Sequence, residues 1–321
     1  MSAGARSIGR VKASLVSTVK DVGPANMREF LESLRSQTRQ PDETIIVDGG
    51  STDGTLEVLR EATEITVVSE PGANISRGRN VAIAATAHDV IAVTDADCIL
   101  SSDWLERLLA PIENGADVAA GFYRALGDSL YQVSTAAVSI REPEEVGPGW
   151  MPSSRSIAFR REAYDAAGGY PEWLGIGEDM YFDHQLVATG ARMEPVVDAV
   201  VGWRVRPTPA ATWRQYAGYA EGDAAAGLYP ERHFLRFAVY SIGAVALARR
   251  NRPLLALATI AALAYATKPV HRAWRRLEGR DAERMASVAT VPAAMAFIDA
   301  AKMWGYARGL ARRITQEVLY D

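Results

Sequence analysis

The order of strand-like and helical patterns between residues 11 and about 120 is the strongest constraint on the fold. Short strands are predicted at 13–18, 44–47, 65–68, 90–94 and 118–122. Between the first two strands, Met27, Phe30 and Leu34 recur every three to four residues, which predicts a helix with an apolar face. Strand–helix alternation is typical of an α/β domain in which helices cover both faces of a mainly parallel sheet.

Acidic residues directly follow two of the predicted strands. Asp48 ends the run "TIIV", and Asp95 and Asp97 follow "IAVT". Ligands of such sheets bind beyond the carboxyl ends of the strands, so all three acids are candidate site residues. In an extended segment, residues i and i+2 point to the same side, and two carboxylates there suit a hard divalent cation. Taken alone, the pair is explained more simply by a turn, in which Asp bonds its own backbone.

A third acidic motif opens a predicted helix at 179–189. Glu178 and Asp179 follow Gly175 and Gly177 in "GIGED". The helix dipole favours carboxylates in a first turn, so a purely structural interpretation is available. The alternative is a general base, a carboxylate that takes a proton from an attacking hydroxyl group.

Charge and cysteine content exclude several classes of protein. The formal net charge is −4, from 35 basic and 39 acidic residues, which argues against a nucleic-acid partner. The single cysteine, Cys98, excludes an internal disulfide and a cysteine-rich metal site. This composition fits a reducing compartment.

The C-terminal part is helical in pattern and contains two apolar runs, 234–248 and 254–267. They are 15 and 14 residues long, whereas a membrane span needs about 20. Basic stretches, "RRNRP" and "KPVHRAWRR", follow them. These features favour a re-entrant or interfacial hairpin on a membrane surface, and a pair of buried helices is the alternative. We predict two domains, at 1–228 and 229–321.

Taken together and in order, the motifs between about residues 13 and 228 resemble those of the family 2 glycosyltransferases, inverting nucleotide-sugar transferases with a GT-A fold. The motifs are "SLVSTVKD", "LRSQTRQPDETIIVDGGSTDGT", "GANISRGRNVAIAAT", "VTDADC", "SSRSIAFRREAYDAAGGYPEWLGIGED" and "RQYAGYAEGDAAAGL". The resemblance implies a GT-A type α/β domain, and the apolar runs that follow it predict a helical, membrane-associated C-terminal segment.

The resemblance also implies roles on the donor side of the site. The residues that match donor-binding positions are Thr18, Asp48, Arg79 and Asp95. Asp97 matches the metal-binding acid, with Asp95 beside it, so Mg²⁺ or Mn²⁺ is the expected cofactor. Many relatives supply a further ligand from a His where this chain has Trp203. The metal shell is therefore expected to be thinner, or a cation such as Arg204 or Arg206 supplies the missing charge.

On the acceptor side, the resemblance implies that Asp179 is the catalytic base and that Glu178 supports the acceptor. From the sequence alone, Ser153, Ser154 and Arg155 are candidate acceptor contacts, and a plain polar loop explains them equally well. Trp173 is a candidate for stacking on a sugar ring, and ordinary packing is its alternative.

These features together predict a membrane-associated inverting glycosyltransferase of polysaccharide biosynthesis. It would move a sugar from a nucleotide-diphosphate donor to a hydroxyl group of a glycan or lipid-linked acceptor, at the cytoplasmic face of the membrane. One alternative is a nucleotidyltransferase, although "VSTVKDVGPAN" has Lys20 without the density of glycines that a phosphate loop needs. Another is a non-catalytic nucleotide-sugar-binding scaffold on the membrane.

Overall fold

The computed structural model describes residues 10–147 and 149–320, the side chains of 314–320 excepted, and divides them into two compact units. The first, here called the α/β unit, runs to Arg124 and resumes from Pro143 to Arg204. The second, here called the helical unit, holds Ala125–Glu142 and continues from Val205.

The described residues form one mixed sheet and a series of helices. The strands are β1 Ala13–Val19, β2 Glu43–Asp48, β3 Thr66–Ser69, β4 Val90–Val93, β5 Cys98–Leu100, β6 Val118–Leu126, β7 Ile157–Arg160 and β8 Met193–Arg204. The helices are α1 Pro24–Arg35, α2 Thr55–Glu61, α3 Ile75–Ala85, α4 Trp104–Glu113, α5 Leu130–Ser139, α6 Arg161–Ala166, α7 Glu178–Ala188, α8 Pro209–Ala226, α9 Pro230–Ala248, α10 Arg252–Arg276 and α11 Asp281–Tyr320.

The sheet has the strand order β3-β2-β1-β4-β7-β6-β8-β5. Its first four strands are parallel, as the alternating pattern predicts, because helices cross between them. The remaining half contains antiparallel pairs: β7 lies antiparallel to both β4 and β6, and β5 is antiparallel to β8. The predicted strand at 118–122 therefore runs in the same direction as β4, with β7 inserted between them.

The core of the α/β unit lies between the sheet and its helices. Ile45, Ile91 and Phe159 supply apolar side chains from the strands, and α7 contributes Phe182 and Leu186. The last two residues are four apart, so they lie on one face of the helix, and both are fully buried. Burial of each such side chain contributes about 1.5–3 kcal/mol. This packing fixes the first turn of α7, which carries Glu178 and Asp179.

The helical unit is built around the contact between α8 and α11. A Cβ atom on Gly305 would lie 1.9 Å from the Ala217 carbonyl oxygen, and one on Gly309 would lie 2.8 Å from that of Glu221. The two glycines therefore permit a close approach of the helix backbones. This packing places α8 in the helical unit, together with residues 125–142. The compact units thus divide the chain after Arg204, whereas the sequence suggested a boundary at residue 228.

The two apolar runs form parts of longer helices than their length suggested. They lie in α9, which has 19 residues, and in α10, which has 25. In the described residues, α10 and the segment Asp281–Arg313 are long and apolar enough to cross a membrane, by length and composition alone. Only 11% of the apolar window of α10 is buried. Its exposed face includes Leu257, Ile260 and Leu263.

Candidate active site

The carboxyl ends of the parallel strands meet at one edge of the sheet, where the predicted site residues lie. Asp48, the last residue of β2, pairs in register with Val19 of β1. Its carboxylate is fully buried and accepts hydrogen bonds from the backbone N–H groups of Gly50 and Ser51, at 3.0 and 3.2 Å. Asp48 therefore fixes the turn of the glycine-rich loop, and its contact with a nucleotide base stays a prediction.

Residues 95–98 form a tight turn directly after β4. The backbone N–H of Cys98 donates to the carbonyl oxygen of Asp95 at 3.1 Å. The expectation that Asp95 and Asp97 share one side of an extended segment is therefore wrong, because Asp favours turns. Arg204 binds the carbonyl oxygen of Asp97 at 3.1 Å and so supports the turn.

Arg79 connects three elements of the site. It is 1% exposed and donates one hydrogen bond to Asp95 and one to Glu178, each at 2.7 Å. Its guanidinium also lies 5.0 Å from the centre of the Tyr170 ring. Arg79 belongs to α3, Asp95 to the turn after β4, and Glu178 to α7. The Arg79 side chain therefore links Asp95, on the predicted nucleotide side of the site, to Glu178, which adjoins the predicted base.

A glycine allows α3 to approach the sheet closely enough for this contact. A Cβ atom on Gly78 would lie 2.2 Å from the hydroxyl oxygen of Thr18. Thr18 in turn donates to the carbonyl oxygen of Val47 at 3.3 Å. Thr18, a predicted donor-binding residue, thus lies on β1 against the helix that carries Arg79.

Burial and charge shift the pKa values of the site in opposite directions. Burial disfavours the charge on Arg79, but the carboxylates of Asp95 and Glu178 outweigh it and raise the pKa. Burial alone would raise the pKa of Asp95, and Arg79 and Arg155 reverse this and lower it. Burial, together with repulsion from Asp179, raises the pKa of Glu178 to about 7.

Asp179 is half-buried in the first turn of α7. The helix begins after Gly177, which adopts a left-handed conformation with φ of 82°. The hydroxyl of Ser153 donates to Asp179 Oδ2 at 3.0 Å and accepts a hydrogen bond from Arg155 Nη1 at 2.8 Å. The predicted base is therefore held from the loop 151–156 and retains access to solvent.

The other residues predicted to contact an acceptor differ in their exposure. Ser154 is fully buried, and its hydroxyl is hydrogen-bonded to that of Tyr170 at 2.8 Å, so it is unavailable to an acceptor. Trp173 is 61% exposed, and its ring packs edge-on against Tyr181 at 5.4 Å. Trp173 therefore presents an aromatic face close to the first turn of α7, as sugar stacking would need.

The carboxylates available to a metal ion are few. Among the described residues, no group of three or more His, Cys, Asp or Glu side chains is arranged to hold one. Asp95 is engaged by Arg79 and Arg155, and Asp97 lies half-buried at the end of the turn, where its Oδ1 atom accepts from the Cys98 thiol at 3.8 Å. One protein carboxylate fits the way Mg²⁺ is commonly bound, through few protein ligands with water and substrate phosphates.

Asp183 is a member of the site region that the sequence analysis missed. It lies on α7 one turn after Asp179, is fully buried, and neither carboxylate oxygen has a hydrogen-bond partner within the described residues. Burial, followed by repulsion from Asp179, raises its pKa well above the usual value. The spacing of four residues between the two acids was the available signal, since it places both on one helix face.

The raised pKa of Glu178 makes a prediction about stability. Between pH 4.5 and 7 the folded protein retains a proton on Glu178 that the unfolded chain releases, so Glu178 makes the protein less stable as the pH rises through that window. Glu178→Gln keeps an acceptor oxygen for Arg79 without the charge. We expect a smaller fall in the urea midpoint across this window than in the wild type. Glu194→Gln is the control, because the Glu194 side chain is 47% exposed. If Glu178→Gln showed the same fall in midpoint with pH as the wild type, the raised pKa of Glu178 would be contradicted.

The proteins to which this chain is similar in sequence are named as glycosyltransferases or polysaccharide biosynthesis proteins. Residues 14–166 match the model of glycosyl transferase family 2. The chain contains a family 2 glycosyltransferase domain over residues 14–166. It is 27% identical to the O-antigen chain rhamnosyltransferase WbaN of Salmonella anatum, over 63% of this chain and 69% of the relative. It is 29% identical to the succinoglycan biosynthesis protein ExoA of Rhizobium meliloti (strain 1021), over 62% of this chain and 66% of the relative.

The fold of this glycosyltransferase is similar to that of a solved structure, the mannosyltransferase PcManGT from Pyrobaculum calidifontis in complex with GDP-Man and Mn²⁺. The TM-score is 0.59 at 20% identity, over 92% of this chain and 88% of the other. The predicted α/β class and GT-A fold are therefore confirmed. The family match and the named relatives confirm the predicted glycosyl transfer.

Proposed function

We propose that this glycosyltransferase moves a sugar, with inversion, from a nucleotide-diphosphate sugar to an acceptor hydroxyl group. The observation that carries the proposal is the position of Asp179. It is half-buried, held by Ser153, and adjacent in α7 to Glu178, which Arg79 links to Asp95 at the strand edge. One buried arginine thus connects the donor-side carboxylate of Asp95 to Glu178, the neighbour of the proposed base.

In the proposed reaction, Asp179 accepts the proton of the acceptor hydroxyl as its oxygen attacks the anomeric carbon. The bond from that carbon to the diphosphate breaks on the opposite face, and the nucleoside diphosphate leaves with the electron pair. The single displacement inverts the configuration and requires no covalent intermediate. Glu178 and Arg79 position Asp179 and Asp95 and do not take part in proton transfer.

We assign the donor side to Thr18, Asp48, Arg79 and Asp95, in agreement with the resemblance. Mg²⁺ or Mn²⁺ would be held by Asp97 together with the donor phosphates, and would supply positive charge to the leaving diphosphate. The presence of GDP-Man and Mn²⁺ in PcManGT supports this assignment. Asp95 contributes to the metal site only indirectly, since two arginines engage its carboxylate.

The acceptor is proposed to be a glycan or a lipid-linked sugar. The exposed ring of Trp173 supports this, since aromatic faces stack on sugar rings. The names of the relatives, which concern O-antigen chains and succinoglycan, also favour polysaccharide biosynthesis. Ser153 is buried and its hydroxyl group is hydrogen-bonded to Asp179 and Arg155, so its proposed role is to position the base beside the acceptor.

We further propose that the helical unit attaches the enzyme to the cytoplasmic face of a membrane. The exposed apolar residues of α9 and α10 support the proposal, and so do the basic residues at their junction, Arg249, Arg250 and Arg252. Apolar faces with basic flanks bind anionic lipid surfaces. The charged Asp299 and Lys302 in α11 favour an interfacial arrangement of that helix over a spanning one.

A donor screen tests the proposed reaction. UDP-, GDP- and dTDP-sugars would be incubated with the purified full chain, Mn²⁺ or Mg²⁺, and a panel of glycan and lipid-linked acceptors. We expect one donor class to release nucleoside diphosphate, and NMR of the product to show an inverted anomeric centre. Release of pyrophosphate from nucleoside triphosphates incubated with sugar 1-phosphates, in a parallel assay, would instead identify a nucleotidyltransferase. Binding without any release would identify a non-catalytic scaffold.

Vesicle flotation tests the membrane proposal. We expect the full chain to float with vesicles containing phosphatidylglycerol, and the triple variant Leu257→Gln, Ile260→Gln, Leu263→Gln to lose most of that binding. Val187→Gln, an exposed apolar position of the α/β unit, is the matched control. Equal flotation of the wild type and the triple variant would contradict the proposal. Point variants are preferable to truncation near Gly227, which would remove α11 from its contact with α8.

A further inference from the structure

Arg155 lies between Asp95, the carboxylate on the donor side of the proposed mechanism, and Asp179, the proposed base. Its Nε atom is 3.6 Å from Asp95 Oδ2, and its Nη1 atom donates to Ser153, which binds Asp179. The sequence analysis assigned Arg155 to the acceptor. The ion pair with Asp95 instead puts its guanidinium on the nucleotide side of the site.

Two aromatic rings hold the guanidinium of Arg155 in place. It lies 4.6 Å from the centre of the Trp203 ring and 5.3 Å from that of Tyr123. The two rings contact each other edge-on at 6.1 Å. Trp203 belongs to β8 and pairs with Cys98 of β5, the strand that follows the Asp95–Asp97 turn. Arg155 is thus seated on rigid strands, and a planar cation stacked in this way loses little freedom when it binds a ligand.

The charges around Arg155 leave it suited to an anionic ligand. Asp95 already receives a hydrogen bond from Arg79 at 2.7 Å, whereas its approach to Arg155, at 3.6 Å, is longer than a hydrogen bond. Arg155 therefore shares the Asp95 carboxylate with Arg79, whose contact with it is shorter. The side chain of Arg155 is 16% exposed, so a ligand can reach part of it from solvent. A diphosphate is a suitable ligand because it offers several oxygens to the guanidinium, in the geometry that arginine binds best.

We propose that Arg155, seated on Trp203, binds the diphosphate of the nucleotide-sugar donor. The inference rests on the proposed function and adds a protein cation to a site with a single carboxylate suited to a metal. Through Ser153, the same guanidinium is connected to Asp179, so the group that binds the leaving diphosphate also helps to orient the base. Arg204 is the rival cation, and its guanidinium contacts the Asp97 carbonyl oxygen and Glu29.

Nucleotide binding without metal isolates the contribution of the cation. Calorimetry of the full chain in EDTA would compare three pairs of probes: UDP with UMP, GDP with GMP, and dTDP with dTMP. The preference for diphosphate over monophosphate measures recognition of the second phosphate. We expect Arg155→Met to reduce this preference about tenfold or more, because a charge-assisted hydrogen bond is lost, while binding of the monophosphate changes little. The remote, exposed Arg192→Met is the control, and Arg204→Met tests the rival cation.

Variants of the aromatic seat test the role of Trp203. Trp203→Phe keeps a ring under the guanidinium and is expected to retain most of the diphosphate preference, whereas Trp203→Ala is expected to lose it. Thermal unfolding of each variant establishes that it is folded, and Arg155→Lys provides a second, milder replacement with the charge kept.

The outcomes separate this inference from the proposed function. If the wild type binds none of the nucleoside diphosphates with or without Mn²⁺, the proposed function itself fails, and the inference fails with it. If the wild type prefers a diphosphate and Arg155→Met keeps the full preference, the assignment of Arg155 alone is overturned. A loss of preference in Arg204→Met, with none in Arg155→Met, would transfer the role to Arg204.

Discussion

Asp179→Asn is expected to lower the turnover rate of sugar transfer about 10²–10⁴-fold, the range that a positioned general base contributes. The amide has the same shape and still accepts a hydrogen bond from Ser153, but it cannot take the proton of the attacking hydroxyl. Donor binding should change little, because the contacts of Arg79 with Asp95 and Glu178 do not involve Asp179. Initial rates of nucleoside diphosphate release, with calorimetric binding of the donor, measure the two effects separately.

Asp198→Asn is the matched control for this variant, since its side chain is 76% exposed and it lies on β8, away from the first turn of α7. It should leave both rate and binding unchanged. Retention of the wild-type rate in Asp179→Asn would exclude Asp179 as the base. Attention would then move to Glu178, whose pKa of about 7 allows it to exchange a proton near neutrality.

The sequence predicted the parts of the site that depend on local pattern. The strands that end at Asp48 and before Asp95 are periodic and apolar, so their carboxyl ends could be located and brought to one sheet edge by the rule for parallel strands. The start of α7 was predicted within one residue, because two glycines and two acids mark it. In each case a short stretch of chain carries the signal.

The remainder depends on contacts between distant parts of the chain. Arg79 and Glu178 are 99 residues apart, and nothing in either motif indicates that one is paired with the other. The contact of Arg155 with Trp203 likewise joins a loop to a strand. The sequence showed that Trp203 stands where many relatives have a His. It could not show that the Trp203 ring packs against the guanidinium of Arg155, because that contact exists only in the folded chain. The turn at Asp95 was one of two interpretations that the sequence left open, because an extended continuation of β4 fits the same residues.

Arg79→Met is expected to destabilise the protein by about 3–5 kcal/mol, because removal of one partner leaves buried carboxylates uncompensated. Asp95 and Glu178 both depend on this side chain, and Glu178 is 5% exposed. The loss is a large fraction of the 5–15 kcal/mol that typically stabilises a folded domain. Urea unfolding followed by tryptophan fluorescence, with the midpoint as the measure, checks the expectation.

Arg77→Met is the matched control, two residues earlier on the same helix. Arg77 pairs with Glu70 at 2.6 Å, but its side chain is 51% exposed, so its removal should shift the midpoint little.

Two further measurements distinguish whether Arg79→Met destabilises the protein through uncompensated charge or through lost packing. The deficit should shrink as the pH falls, because without Arg79 the pKa of Asp95 is no longer lowered and protonation of both acids relieves the buried charge. Addition of Asp95→Asn and Glu178→Gln to Arg79→Met should also recover much of the midpoint, since a neutral set needs no counter-ion. A deficit that is constant with pH, and is not recovered in the triple variant, would show that Arg79 acts by filling space and that the charge linkage across the site contributes nothing to stability.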